Sequence, residues 1–384
     1  MPRVIVWRET VLPGSETFIA NQVGALRRWE PVVAGLRAQD EGLDVRPGFV
    51  LDAGRTPARR ADRRLFARTG VGVRVGRLLR GAALVHAHFG PDAARIARAA
   101  VVARRPLLAT FHGYDATIEP AALGVDYRVL FARAAGLVAV SGFIRDRLVA
   151  LGAPAERIRV LPIGIPVPPD PGEPAGPPRL LFVGRLVEKK GCADLLDALA
   201  GLEARPPLTV IGDGPLRGPL QRRAAELRVD ARFLGRRSPA QIAAAMRDAT
   251  AFCVPSRTAA DGDREGFGMV FLEAAAHRLP VVGYASGGVP EAVADGGTGL
   301  LAPEGDVPGL ARRLARLLDD PGLARRLGAA GRERVEREFE LGACTAALES
   351  YYDAVVTQAG TARLRSRATT SVSARGSAAR SRPR

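Results

Sequence analysis

Short apolar runs recur along this chain, separated by stretches with helical spacing, and that rhythm narrows the fold more than any other feature. In the first half the runs are RVIVW (3–7), PVVAGL (31–36), ALVHAHFG (83–90), PLLATFHG (106–113) and GLVAVS (136–141). They are near-continuously apolar rather than alternating, the pattern of strands buried on both faces. The segments between them, such as 92–104 and 142–151, are amphipathic. Strands alternating with helices predict an open, doubly wound parallel α/β sheet. His88, His112 and Ser141 fall just after strands, where the ligands of such sheets gather.

The rhythm breaks once. IGIPVPPDPGEPAGPP (163–178) holds seven prolines in sixteen positions, which fits neither helix nor central strand and predicts an extended hinge. The alternation then restarts with RLLFVG (179–184), PLTVIG (207–212), ARFLG (231–235), TAFCVPS (250–256), PVVGY (280–284) and GLLA (299–302). Two Rossmann-like domains facing each other across a cleft are expected, over residues 1–165 and 166–343. A terminal helix is expected over 344–358, and a basic tail without regular structure over 359–384.

Charge separates the halves. Residues 1–165 carry a net +11, residues 166–359 a net −2, and the tail has seven Arg and no acid. A basic first domain beside a near-neutral second one predicts different partners for the two. No apolar run approaches the roughly 18 residues of a spanning helix. The start reads as a first strand rather than a leader. Cys192, Cys253 and Cys344 are too scattered for a metal or disulfide framework, and a cytoplasmic address is expected. Of 56 basic residues only Lys189 and Lys190 are lysines. A compact ammonium suits a phosphate as a point charge, so their adjacency singles out this position.

The second half carries the chemistry. RLLFVGRLVEKKG (179–191) is a strand, a glycine turn and then cations. Gly184 permits close backbone approach, and Arg185 and Lys190 are placed to meet a diphosphate near a helix start. VIGDGP (210–215) repeats the strand-then-glycine pattern with Gly212, Asp213 and Gly214. SGGVPE (286–291) offers another nest of free amides before a helix. DREGFGMVFLE (263–273) sets Glu265 and Glu273 eight positions apart across an apolar stretch, a costly arrangement unless a ligand or a cation meets the acids. Asp261-Gly262-Asp263 imitates a metal-binding pair, but no third ligand converges on it in sequence, and no metal or cofactor is assigned. The convergence of glycine turns, cations and glutamates at one sheet edge points to a nucleotide diphosphate bearing a hydroxyl-rich group.

The ordered set GRLVEKKG, VIGDGP, FLGRRS, VPSRTAADGDREGFGMVFLEAAAHRLPVVGYASGGVPE and VADGGTGLL resembles the donor domain of retaining GT4-type glycosyltransferases of GT-B fold. In the first half PGSETFIANQ, HAHFG, TFHGYD and VSGFIRDRLVALGAP join in, and SETFI with the DGDREG insertion is similar to colanic-acid-type exopolysaccharide enzymes. The resemblance implies a terminal helix crossing back to the first domain. It implies that Arg185 and Lys190 bind and neutralise the donor diphosphate, that Glu265 faces the transferred sugar, and that Glu273 accepts from the ribose hydroxyls. Gly266, Phe267 and Gly268 would bring amides to sugar and phosphate, and Val289 and Glu291 would line the same region. Arg236 and Ser238 would sit near the base. From the first domain His112 would meet the sugar, and Gly14 and Ser15 the diphosphate; Ser15 replaces a glycine usual in relatives.

The implied reaction is metal-independent glycosyl transfer from a nucleotide-diphosphate sugar to a saccharide acceptor. Residues 55–80, with nine Arg and one acid, suggest contact with an anionic membrane and a lipid-linked acceptor. An epimerase or phosphorylase on the same scaffold, or a non-catalytic sensor, would keep the anion site. Nucleic acid is not expected, because no basic stretch is interleaved with aromatics.

Overall fold

The computed structural model describes residues 1–378 except 12, 14, 15, 39–46, 53–55 and 170–176, with backbone alone beyond 361. Seven strands form the first sheet: β1 (Arg3–Trp7), β2 (Glu30–Gly35), β3 (Phe49–Val50), β4 (Leu84–His88), β5 (Leu107–Phe111), β6 (Gly136–Ala139) and β7 (Ile158–Val160). Their order is β3-β2-β1-β4-β5-β6-β7, all parallel. The second sheet has β8 (Leu180–Val183), β9 (Leu208–Ile211), β10 (Ala231–Gly235), β11 (Ala251–Val254), β12 (Val281–Tyr284) and β13 (Gly299–Ala302). Its order is β10-β9-β8-β11-β12-β13, again parallel. The doubly wound expectation therefore holds in both halves. The short β3 and β7 were not evident in sequence, β3 having only two residues and β7 a mixed pattern.

Parallel strands covered by helices on both faces explain the unbroken apolar runs: β4, β5, β8, β11, β12 and β13 are buried along their whole lengths. In each sheet the strand order reverses once, between β1 and β4 and between β8 and β11. Ligand crevices of open α/β sheets lie at the carboxyl ends of such strands. Trp7 leads there into Arg8, His88 into Phe89, Val183 into Gly184, and Val254 into the loop that carries Glu265.

The chain crosses between domains twice, and the crossings are bonded to each other. Ile165 N–H donates to the Phe339 carbonyl and Leu341 N–H to the Ile165 carbonyl, at 2.9 and 3.0 Å. The terminal helix Leu341–Ala378 then lies on the first domain, as expected. Buried Glu349 accepts from the amides of Arg27, Arg28 and Trp29, while Leu348, Tyr352 and Val355 join the core that contains Val4 and Val6. The tail corrects one expectation: the helix runs on to Ala378 through most of the segment expected to lack structure. Alanine and arginine in that stretch favour a helix, but serine, threonine and glycine are as numerous there, so the missing apolar face and the composition explain the expectation better than they explain the helix.

Candidate active site

A cleft of about 720 Å3 lies between the domains, lined from both. Its second-domain wall includes Gly184, Arg185, Lys190, Glu265, Gly266, Phe267, Gly268 and Glu273, and His112 faces them from the first domain. These nine expected residues are brought together. Gly14 and Ser15 lie outside the described residues.

The two lysines end in different ion pairs. Lys190 Nζ is 2.5 Å from Glu265 Oε2, and Lys189 Nζ is 2.8 Å from Asp263 Oδ2. Both pin the loop after β11 to the turn after β8. Asp263, half of the metal-like pair, is thus engaged by an ammonium. Burial would raise the Glu265 carboxyl, but the charges of Lys190 and Lys189, with hydrogen bonds from Lys190 and Ser256, hold it down at about 2. It is an anion at any working pH. Arg185 is exposed at the cleft and has no ion-pair partner among the described residues, which leaves its guanidinium for a ligand.

Helix Met269–Ala276 starts only after Gly268, which takes a left-handed φ of 91°. Glu265 therefore sits on a loop and Glu273 on a helix, rather than both on one helix. The Glu273 carboxyl opens on the cleft yet is otherwise walled in by protein. Burial pushes it up to about 7, against the pull of Lys190. Two carboxyls in one cleft are thus set far apart in acidity by whether a lysine touches them.

His112 belongs to a buried imidazole row. Its Nε2 is 3.1 Å from His88 Nδ1, and the His88 ring lies tilted with its centroid 4.3 Å from that of His86. His86 is bonded at 2.6 Å to both the Tyr352 and Thr110 hydroxyls, which ties the row to the terminal helix. Burial holds His86 at about 3, and burial with the neighbouring charges holds His88 and His112 well below the usual range, so all three are neutral. Asp115, three residues after His112, fixes the turn by accepting from the amides of His112, Gly113 and Gly90.

Other expected residues stand elsewhere. Gly212, with φ of 136°, packs where a Cβ would lie 1.8 Å from the Gly184 carbonyl oxygen, and Gly214 backs Leu186; both shape the turn behind the cleft. Asp213 accepts from the Gly214 amide and from Arg217. Arg236 is exposed outside the lining, and its neighbour Arg237 lines the cleft. Ser238 caps helix Pro239–Asp248 in a reciprocal box with Gln241, which occupies its hydroxyl. Val289 is fully buried core. Glu291 turns away from the cleft to accept from Gly142 and Phe143 of the first domain.

Sequence reasoning missed the first-domain wall of Arg8, Glu16, Phe89 and Tyr114. Arg8 donates to Glu16 at 2.6 Å and to Asp92 at 2.5 Å, and lies 4.2 Å over the Phe89 ring. Phe89 holds a φ of 67°, strain of the kind kept at functional sites, with its ring also against His112 and Tyr114. Position at strand ends was the available signal for Arg8 and Phe89. Nothing local marked the partnership of Arg8 with Asp92, 84 residues on.

Comparison with known proteins addresses the family and the fold. The Glycosyltransferase Family 4 profile matches residues 13–167 and the Glycosyl transferases group 1 profile residues 167–334. The amylovoran biosynthesis glycosyltransferase AmsK of Erwinia amylovora is 33% identical over 67% of this chain; the match spans 66% of that protein, just under two thirds. A GDP-mannose-dependent phosphatidylinositol monomannoside mannosyltransferase of Mycolicibacterium smegmatis is 35% identical over 66% of this chain and 69% of its own. Among solved structures, Anabaena HepE in complex with UDP and glucose is 19% identical with a TM-score of 0.77, covering 92% of this chain and 100% of that one, a likeness of fold. With a profile on each domain and these relatives, the chain belongs to the GT-B glycosyltransferases, family 4 in its first domain and group 1 in its second.

Proposed function

We propose that this protein is a retaining, metal-independent glycosyltransferase that moves a sugar from a nucleotide-diphosphate donor to a saccharide, lipid-linked acceptor. The observation that carries the reading is the pairing of Lys190 with Glu265 beside the exposed Arg185, facing His112 across the cleft. In the reaction the bond from the anomeric carbon to the diphosphate oxygen breaks. A bond from the acceptor oxygen forms on the same face, and the acceptor proton passes to the departing phosphate. Arg185 and Lys190 neutralise the leaving diphosphate in a water-poor site, where fixed charges act most strongly. Glu265, released from Lys190 as the phosphate arrives, accepts from sugar hydroxyls and remains anionic opposite the electron-poor anomeric centre. Neutral His112 hydrogen-bonds the sugar from the other wall, and Glu273 grips the ribose diol. Arg237 replaces Arg236 as the cation nearest the nucleotide.

The acceptor reading rests on the first domain. Helix Pro57–Thr69 turns Arg60, Arg64 and Arg68 outward with Leu65, and helix Val73–Arg80 turns out Arg77 and Arg80. Their one acid, Asp62, is buried and accepts from the amides of Val73 and Arg74, so it subtracts little from the outer charge. A basic face with an exposed leucine suits an anionic bilayer. Among the described residues no helix is long and apolar enough to cross a membrane. Peripheral attachment to the cytoplasmic leaflet fits, as does a place in exopolysaccharide or glycolipid assembly, the processes in which relatives are named.

Calorimetry with UDP, GDP and ADP, on the natural protein and on Lys190→Met, tests the donor site. Proton NMR of the sugar first released from the matching nucleotide sugar tests the stereochemistry. One diphosphate should bind, the substitution should weaken it at least roughly tenfold, and the first product should keep the donor's anomeric configuration. An inverted product, or unchanged binding in the variant, overturns the reading.

A further inference from the structure

Glu291 does something other than line the donor pocket. It sits on the short helix Val289–Ala292 of the second domain, and its carboxylate reaches the first. Oε2 accepts from the Gly142 amide and Oε1 from the Phe143 amide, both at 2.7 Å. These are the first two amides of helix Gly142–Ala150, which follows β6. Helix-start amides lack partners within the helix and carry the positive end of its dipole, so a carboxylate from the opposite domain is well matched there. Ser141, the cap of that helix, reaches the other way: its hydroxyl donates to the Gly266 carbonyl at 2.6 Å.

The same segment holds the catalytic loop from behind. Gly288 N–H donates to the Glu265 carbonyl at 2.9 Å. The Arg334 guanidinium donates to the Glu291 carbonyl at 2.8 Å, which fixes the short helix on its own domain. Across the seam, Gly266 packs so closely on the first domain that a Cβ there would lie 1.9 Å from the His112 carbonyl oxygen. Residues 288–291 thus grip the backbone of Glu265 at one end and the first domain at the other, while neither Glu291 nor Gly142 lines the cleft.

We propose that Glu291 is an interdomain clasp, a positioning residue that holds the two domains closed and thereby sets Glu265 and Gly266 against His112. Its conformational role stands apart from the glycosyl-transfer reading, and only the kinetic half of the test rests on that reading.

Closure is measured first, by electron–electron spin distances between labels at Val101→Cys and Arg222→Cys, exposed sites on opposite domains; the natural cysteines are buried. Two variants remove the clasp from opposite sides. Glu291→Ala deletes the acceptor. Gly142→Pro deletes one donor, and it suits the fold because proline is favoured at the first helical position and Ser141 is extended (φ −154°, ψ 164°). Both should lengthen and broaden the distance distribution. Both should lower kcat roughly tenfold or more through misplacement, with nucleoside-diphosphate Kd within about twofold, because no ligand contact is lost. Glu291→Gln, which keeps one acceptor, should fall between. Unchanged distances in both clasp variants overturn the proposal, whatever happens to kcat. Lengthened distances in a protein that transfers no sugar even in its natural form leave the clasp standing and remove the transferase reading instead.

Discussion

Lys190→Met tests the electrostatics of the cleft without any substrate. The pair it breaks is largely buried: the side chains of Lys190 and Glu265 are 14% and 13% exposed. Holding the Glu265 carboxyl at about 2 instead of its ordinary 4.5 corresponds to about 3 kcal/mol of folding free energy. Because the folded-state value is depressed, that contribution is fully present above pH 4.5 and disappears as the pH falls towards 2. In the variant the main opposing charge is gone and burial acts against Ser256 and the more distant Lys189, so ionising Glu265 becomes a cost. The variant should therefore be destabilised by roughly 3 kcal/mol at pH 7.5, a fall of roughly 6–12 °C in Tm for a domain of this size. The deficit should shrink on going to pH 4, where the carboxyl can protonate. Circular dichroism melting at the two pH values reads this directly. Trp7 and Trp29 both lie in the first domain, so tryptophan fluorescence supplies an internal reference transition. Adding Glu265→Gln should restore most of the loss at pH 7.5. An equal deficit at both pH values, or no recovery in the double variant, would refute the assignment of the loss to a stranded carboxylate.

Glu273→Gln should move stability and binding in opposite directions. The carboxyl is raised to about 7, so its ionisation costs up to about 3 kcal/mol as pH rises from 4.5 through 7; the variant should melt higher at pH 8 yet bind nucleoside diphosphate roughly 10- to 100-fold more weakly by calorimetry. In the natural protein that affinity should decline as pH drops below 7. Glu349→Ala leaves the amides of Arg27, Arg28 and Trp29 without their acceptor, and a loss of about 2–4 kcal/mol with early proteolysis beyond residue 340 is expected. Replacing Arg60, Arg64 and Arg68 by Glu should abolish co-sedimentation with phosphatidylserine vesicles, each cation near the surface being worth about 1 kcal/mol, while vesicles of neutral lipid should recover neither protein.

The parts of this molecule written locally were legible. Unbroken apolar runs between amphipathic segments encode parallel strands, and glycines with cations after a strand encode the turn that lines the cleft, because each needs only neighbours in sequence. Lys189 and Lys190 stood out against a background of arginine, and both are ion-pair partners of the loop after β11. What sequence left hidden depends on chain segments meeting from afar. Arg8 is positioned by Asp92, and His112 by a row of imidazoles ending at Tyr352, contacts that no spacing announces. Glu291 shows the same limit from the other side. Its motif placed it near the donor loop, but the rotamer that aims it at helix Gly142–Ala150 is set by the opposite domain. Arg236 and Arg237 differ by one position, and only the turn after β10 decides which enters the cleft.

The docking of the terminal helix has a consequence for how the protein is made. The first domain is finished by Leu348, Glu349, Tyr352 and Val355, which arrive some 320 residues after the amides of Arg27 to Trp29 that they meet. At about 5–20 residues per second of synthesis, that is an interval of roughly 16–64 s in which a nascent first domain waits with an open seam over Trp29 and His86. The second domain emerges entire within that interval and folds while its predecessor is incomplete. The last stretch of chain then closes the first domain after passing the bonded crossing at Ile165 and Leu341. An early release from the ribosome would thus leave the first domain unfinished, although nearly all of its sequence had already been translated.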